Sequence, residues 1–215
     1  MTTGEVPTID AKVKRFAKQF QYAITAVVLM SICPLGTLAQ DHSHIMTQQR
    51  PTPDQKRQQG ALLKMVRDAT ERFKDVREAE YEGYVLKFGC VSGPDSGAMG
   101  LHYVNFALVG SGVIDPVHPQ IVLYEPTPSG RPKLTGADFL VDAEQWDSDP
   151  KHTGPPELMG QLFHYFEAPN RFGLKAFYTL HVWAWKENPN GTFVNWHPNV
   201  SCDSFAADSR DPFAN

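Results

Sequence analysis

"YVLKFGCVSGPDSGAMGLHYVNFALV", residues 84–109, holds two apolar runs rich in β-branched and aromatic residues on either side of a Gly/Ser/Pro/Asp break. Runs of this length and composition between turn residues predict strands, here over 84–91 and 100–109. The same texture recurs downstream. "QIVLYEP" (120–126), "KLTGADFLV" (133–141) and "AFYTLHVWAWK" (176–186) read as strands. "QLFHYFE" (161–167) reads as a strand or a short helix, and the acidic, Pro- and Gly-rich stretch 142–160 as a long loop. Short connections favour antiparallel pairing, because parallel strands need crossover elements.

Upstream the period changes. Leu62, Met65, Val66, Ala69, Phe73 and Val76 recur at steps of three and four, one apolar helical stripe. Thr52 can cap this helix, Pro53 suits its first turn, and Asp54 suits the positive end of its dipole. The expected fold is α+β: an N-terminal amphipathic helix packed on an antiparallel β-sheet that curls into a small barrel or sandwich.

Side chains alternate across a strand, so residues of equal parity share a face. His102 falls with Val104, Phe106 and Leu108. Glu125 falls with Ile121 and Leu123. His181 falls with Phe177, Thr179, Trp183 and Trp185, and His164, in an extended reading, with Leu162 and Phe166. All four polar residues therefore point to an apolar interior, where an unpaired carboxylate is costly. Three imidazoles and one carboxylate form a common ligand set for a divalent transition metal: Zn, Cu, Fe, Mn or Ni. His102, Glu125, His164 and His181 are accordingly the candidate ligands of a mononuclear site, and a metal-dependent enzyme is one reading of it. Each histidine taken alone reads first as a core residue bonded to a backbone carbonyl, and the shared parity of the four is what raises the metal reading. A second reading is a non-catalytic pocket for a small hydrophobic ligand, walled by Phe106, Trp183 and Trp185. A third is a structural protein of the cell envelope, which leaves room for a homo-oligomer. His197, in "NWHPN", is placed on a pocket rim, and His118 and His152 in exposed turns.

The first 39 residues carry a basic n-region (Lys12, Lys14, Arg15, Lys18), an apolar run from Ala23 to Leu38, and small residues at Thr37–Ala39. This is the pattern of a secretory signal, and the run is too short and interrupted for a span of about 20 apolar residues. The expected organisation is signal peptide 1–39, flexible tail 40–52 and one domain over 53–215, in a periplasmic or secreted protein. In the tail, His42, His44 and Met46 could bind a soft metal. The chain has 20 Lys+Arg against 24 Asp+Glu. Loss of the leader removes four basic and two acidic groups, leaving a net charge of −6. That balance argues against nucleic acid or an anionic membrane as partner and favours a small molecule or a protein. Cys90 and Cys202 would remain, an even pair most simply joined as a disulfide in an oxidising compartment. No GxxxxGK[ST] or GxGxxG motif opens a helix, and no serine sits in a strand–elbow–helix context.

"GAMGLHYVN" (97–105), "IVLYEP" (121–126) and "LHVWAWKENPNGTFVNWHPNVSC" (180–202) resemble segments of small exported bacterial proteins of unassigned function. The resemblance implies export. It carries no site residues, so the ligand assignment rests on parity.

Overall fold

The computed structural model describes residues 51–205. The leader, and His42, His44 and Met46 of the tail, lie outside the described residues. Helix α1 (Pro53–Thr70) begins with a full capping box: Thr52 Oγ1 accepts from the Gln55 N–H, and the Gln55 side chain accepts from the Thr52 N–H. This satisfies two of the donors a helix start leaves open. The helix expected to run on to Val76 instead ends at Thr70. A 3-10 turn (Glu71–Lys74) follows, and then α2 (Val76–Tyr81), capped by Asp75. The Asp75 side chain competes for backbone donors and restarts the helix on a new axis.

Six strands form one sheet in the order β1 (Val85–Gly93), β2 (Gly97–Val104), β3 (Ile121–Glu125), β4 (Lys133–Asp142), β8 (Phe177–Val182), β7 (His164–Phe166). Every neighbouring pair is antiparallel. The sheet curls into a half-barrel with the helices on one face, which is the α+β architecture that the alternating patterns anticipate. A separate two-strand ribbon joins β5 (Glu157–Leu158) to β6 (Gln161–Leu162). Two segments differ from the sequence reading. The second strand stops at Val104, because Asn105 caps a short helix, α3 (Phe106–Ser111), by accepting from the Ala107 and Leu108 N–H groups. Phe106 therefore leaves the strand face and is 52% exposed. The stretch 142–160 also carries α4 (Ala143–Ser148), capped by Asp142.

Helices α1 and α2 and the 3-10 turn between them cover one face of the sheet. Phe73, Ala79, Tyr84, Leu101, Tyr103, Val122, Tyr124 and Leu134 form one cluster there, and Leu62, Val66, Phe139, Leu180 and Val182 belong to the other. Each such side chain, fully buried, contributes about 1.5–3 kcal/mol. Tyr124 Oη donates to the Phe73 carbonyl, and Trp185 Nε1 donates to Thr70 Oγ1, so the polar ends of both rings are paired across the layers. The opposite, concave face carries Val91, Met99, Val104, Ile121, Leu123, Leu140, Phe172 and Phe177. Register irregularities tighten the curl: Phe88–Gly89 is extra in β1 against β2, and Thr135 is extra in β4 against β3. Bulges of this kind bend a strand and re-aim its side chains. At Gly136 a Cβ would lie 2.2 Å from the Val182 carbonyl oxygen, so the close approach of β4 and β8 requires glycine.

Cys90 and Cys202 form a disulfide, with Cα atoms 5.7 Å apart, across a sequence separation of 112. It fixes the C-terminal segment to β1, as the cysteine pairing suggested. Among the described residues, no helix is long and apolar enough to cross a membrane. Replacing both cysteines by serine is expected to lower stability by about 2–4 kcal/mol, the range typical of native cystines. Urea denaturation under non-reducing conditions measures it.

Candidate metal centre

The concave face gathers three polar side chains from three strands. Asp138 in β4 stands directly opposite His181 in β8. His102 lies in β2, one strand beyond Ile121 and Leu123 of β3. On a flat sheet, β2 and β8 would hold these side chains apart. The curl of the half-barrel turns all three inward, and one ligand atom from each lies within 4.8 Å of the others. All three are buried: 4% exposed for His102, 2% for Asp138, 2% for His181.

Each side chain is prepared differently. His102 Nδ1 lies 3.1 Å from the Gly100 carbonyl. A carbonyl only accepts, so Nδ1 carries the proton and Nε2 keeps a free lone pair in the neutral ring. This is how metal-ligating histidines are usually oriented. Gly100 has φ +89° and no room for a side chain, since a Cβ would sit 2.3 Å from the Tyr124 carbonyl oxygen. The glycine two residues before His102 thus places the carbonyl that sets its tautomer. Asp138 Oδ1 accepts from Thr179 Oγ1. His181 Nδ1 is 3.5 Å from the same Oδ1, too long for a good hydrogen bond. Both ring nitrogens of His181 are buried without a hydrogen-bond partner, and so is Asn195 Oδ1. Strict hydrogen-bond geometry leaves these atoms unpaired, yet Asn195 lies close enough to act on His181 as a side-chain hydrogen-bond partner, so one ring nitrogen of His181 is the buried polar atom left over.

The electrostatics follow from burial. Desolvation pushes the His102 pKa down to about 4, with His181 adding to the effect. Desolvation, reinforced by His164, pushes His181 down to about 3, against an opposing pull from Asn195. Desolvation raises Asp138 to about 6, against the hydrogen bond from Thr179. Both imidazoles are therefore neutral at neutral pH, the state in which they ligate. The contact between His181 and Asp138 is not an ion pair. Above pH 6 the cluster holds one buried carboxylate with no cation beside it, a costly arrangement.

A cavity of about 20 Å³ touches all three side chains, walled by Met99, Ile121, Leu140 and the rings of Phe166, Phe172 and Phe177. A larger cleft of about 490 Å³ lies near α4. Two of its polar groups have partners: Asp142 caps α4, and His152 Nδ1 meets the Trp146 carbonyl while its ring stacks on Trp146 at 3.5 Å.

Of the four ligands proposed from parity, His102 and His181 converge. Glu125 and His164 do not enter the 4.8 Å cluster. Glu125 ends β3, and its carboxylate takes Lys186 Nζ at 2.9 and 2.7 Å and the Ser201 N–H at 3.3 Å. It is a partly buried ion pair that anchors the C-terminal segment. His164 does face the concave side, paired in register with Thr179, yet it lies on the edge strand and is exposed. Its Nε2 is 3.3 Å from the Phe193 carbonyl. Phe106, Trp183 and Trp185 do not form one pocket. Phe106 sits on α3, Trp183 packs with Ala98 and Val200, and Trp185 packs against the helix-side clusters. The strand ends at Val182, so parity no longer relates Trp183 to Trp185. His197 is fully buried rather than on a rim, with Nε2 to the Glu187 carbonyl and Nδ1 accepting from the Asn199 N–H. Both of its nitrogens are used, in contrast to His181. The residue missed by the sequence reading is Asp138. Its signal was a lone carboxylate in the middle of the apolar run "ADFLV", which demands a partner on the same physical ground that singled out Glu125. Comparison with protein-family models, curated proteins and solved structures finds no match, so the chemistry of the site rests on its own residues.

Proposed function

We propose that the protein is an exported, cystine-stapled β domain whose concave face holds one divalent transition-metal ion. The ligands are His102 Nε2, an Asp138 carboxylate oxygen and a ring nitrogen of His181. The observation that carries this reading is the convergence of the three buried side chains, with a ring nitrogen of His181 left without a partner among them. Two donors on one tetrahedral ion with bonds near 2.1 Å stand about 3.4 Å apart. His181 Nδ1 and Asp138 Oδ1, at 3.5 Å, already have that spacing. The His102 ligand atom lies within 4.8 Å of the other two. Two imidazoles and a carboxylate suit zinc, iron, manganese or nickel. Three protein donors leave at least one position open, the arrangement of catalytic rather than structural sites. An ion there supplies Lewis acidity or lowers the pKa of bound water.

The hydrophobic-ligand reading fares less well on size. Pockets for such ligands run to about 300–1,000 Å³, whereas the cavity at the triad is about 20 Å³.

Elemental analysis after zinc loading and desalting tests the proposal. The native protein is expected to retain about one equivalent. His102→Ala and His181→Ala should each weaken binding by more than the ~10–100-fold that loss of an outer partner causes. His164→Ala and Glu125→Gln should retain the metal. Equal, negligible zinc in all five proteins overturns it.

A further inference from the structure

The surroundings of the triad restrict what can occupy its open position. The cavity of about 20 Å³ compares with the ~10–15 Å³ needed for one water. An ion takes part of that space and leaves room for one more donor atom. Two neutral imidazoles and one carboxylate leave a net charge of +1 on a divalent centre. In an apolar surround, that charge favours a single negative ligand. The wall opposite the triad is apolar and closed by aromatic rings, so it offers no second polar anchor.

Phe172 completes that wall from an irregular loop, residues 167–176, between β7 and β8. Asn170 shapes the loop. Its Oδ1 accepts from the Phe172 and Leu174 N–H groups, and its Nδ2 donates to the Glu167 and Leu174 carbonyls. Arg171 ties the loop to β1 by donating to the Ser92 carbonyl. The Phe172 ring is 9% exposed and lies edge-on to Phe88, Phe166 and Phe177 at 5.5, 6.3 and 6.1 Å. Phe88 backs it from an unusual position. It occupies the β1 bulge with φ +68°, a conformation that a bulky residue adopts only when the surroundings impose it. There its ring meets both Phe172 and His102, at 5.5 and 6.5 Å. Bulges near functional sites commonly serve to aim a side chain.

We infer that the exogenous ligand of this centre is a small monoanion binding through one donor atom, and that Phe172, held by Phe88, sets the size limit. The inference rests on the metal reading and adds to it a ligand class and a selecting residue.

Cobalt(II)-loaded protein, titrated with azide and separately with benzohydroxamate, tests it through the visible absorption of the metal. Azide is expected to shift the spectrum saturably in the native protein. Benzohydroxamate, bulky and two-pronged, is expected to leave it unchanged. Phe172→Ala should admit benzohydroxamate with an apparent Kd at least about tenfold lower than in the native protein, with azide affinity little altered. Phe88→Gly, which suits the positive φ, should do the same to a smaller degree. Phe172→Leu serves if the alanine variant fails to fold. Benzohydroxamate binding equally to native and variant proteins, or azide without effect on a loaded site, overturns the size filter and leaves the metal reading intact. Failure of cobalt to bind removes both.

Discussion

Asp138→Asn is expected to lose metal and yet to unfold less readily than the native chain when both are metal-free. The two effects have one cause. Asp138 is buried on the concave face, and desolvation raises its pKa from 3.8 to about 6. At pH 7 the folded protein holds an ionised carboxylate whose charge is more costly buried than in the unfolded chain, and the shift corresponds to about 3 kcal/mol. Asparagine keeps the shape, can accept the Thr179 hydroxyl hydrogen bond and carries no charge. A gain of about 1–3 kcal/mol follows, read by urea denaturation with a chelator present. The same change removes the only anionic donor of the triad. Metal affinity should fall by about 10³-fold or more, beyond what loss of an outer partner causes. If the variant is instead less stable than the native chain, Asp138 is a paired structural carboxylate and not a ligand awaiting its cation.

The metal-free protein should lose stability steadily as the pH falls from about 6 to 4. His102 and His181 have folded pKa values near 4 and 3, below their ordinary 6.5. Their contribution is fully present above 6.5 and is lost as acid protonates the unfolded chain first. Asp138 has the opposite sign. Its raised pKa contributes stability below 3.8 that is lost as the pH rises through about 6. His102 and His181 outweigh Asp138 by one proton, and burial lowers His197 as well, which adds to the same side in every variant compared. The net slope is about 1.4 kcal/mol per pH unit, or about 4 kcal/mol between pH 7 and pH 4. In Asp138→Asn the opposing group is gone, and the slope should roughly double. Surface carboxylates act lower on the scale. Arg77 holds Asp75 down to about 2, and Arg72 and the Val117 N–H hold Glu82 and Asp115 below their ordinary values. These contributions are common to both proteins and cancel in the comparison. Denaturation midpoints at several pH values measure the slopes, and a flat native profile would show that the imidazoles are not buried neutral.

Most of the architecture was legible because it depends on local periodicity. The three- and four-residue stripe of α1 and the capping Thr52 mark the helix, the apolar runs between turns mark β3, β4 and β8, and the period of two says which residues share a face. The inward faces of His102 and His181 could be read for the same reason. Parity says which face a residue shares; it says nothing of where along the strand, or how far across the sheet, a side chain ends up. Glu125 has the right parity and sits at the far end of β3, beside Lys186. His164 has it too and lies on the edge strand. Asp138 was hidden because its neighbours are apolar on both faces, so alternation in β4 gives no contrast. Phe106 was misplaced because "NFALV" carries no period that separates a strand from a short helix, and the Asn105 cap decided the matter. The curl that joins β2 to β8 across β3 depends on bulges at Phe88–Gly89 and Thr135, which local pattern does not announce.

His102, Asp138 and His181 come from three strands separated by tens of residues, and no two are near enough in sequence to chelate together. An unfolded chain therefore offers this centre nothing to grip. The binding pocket exists only once β2, β3, β4 and β8 are paired in register, a set of non-local pairings of the kind that slows folding. Under the proposed metal reading, an ion at this centre would be taken from whatever compartment the polypeptide folds in. For a chain that crosses a membrane before it folds, the metal supply outside the cell, and not the cytoplasmic pool, would decide which element is captured.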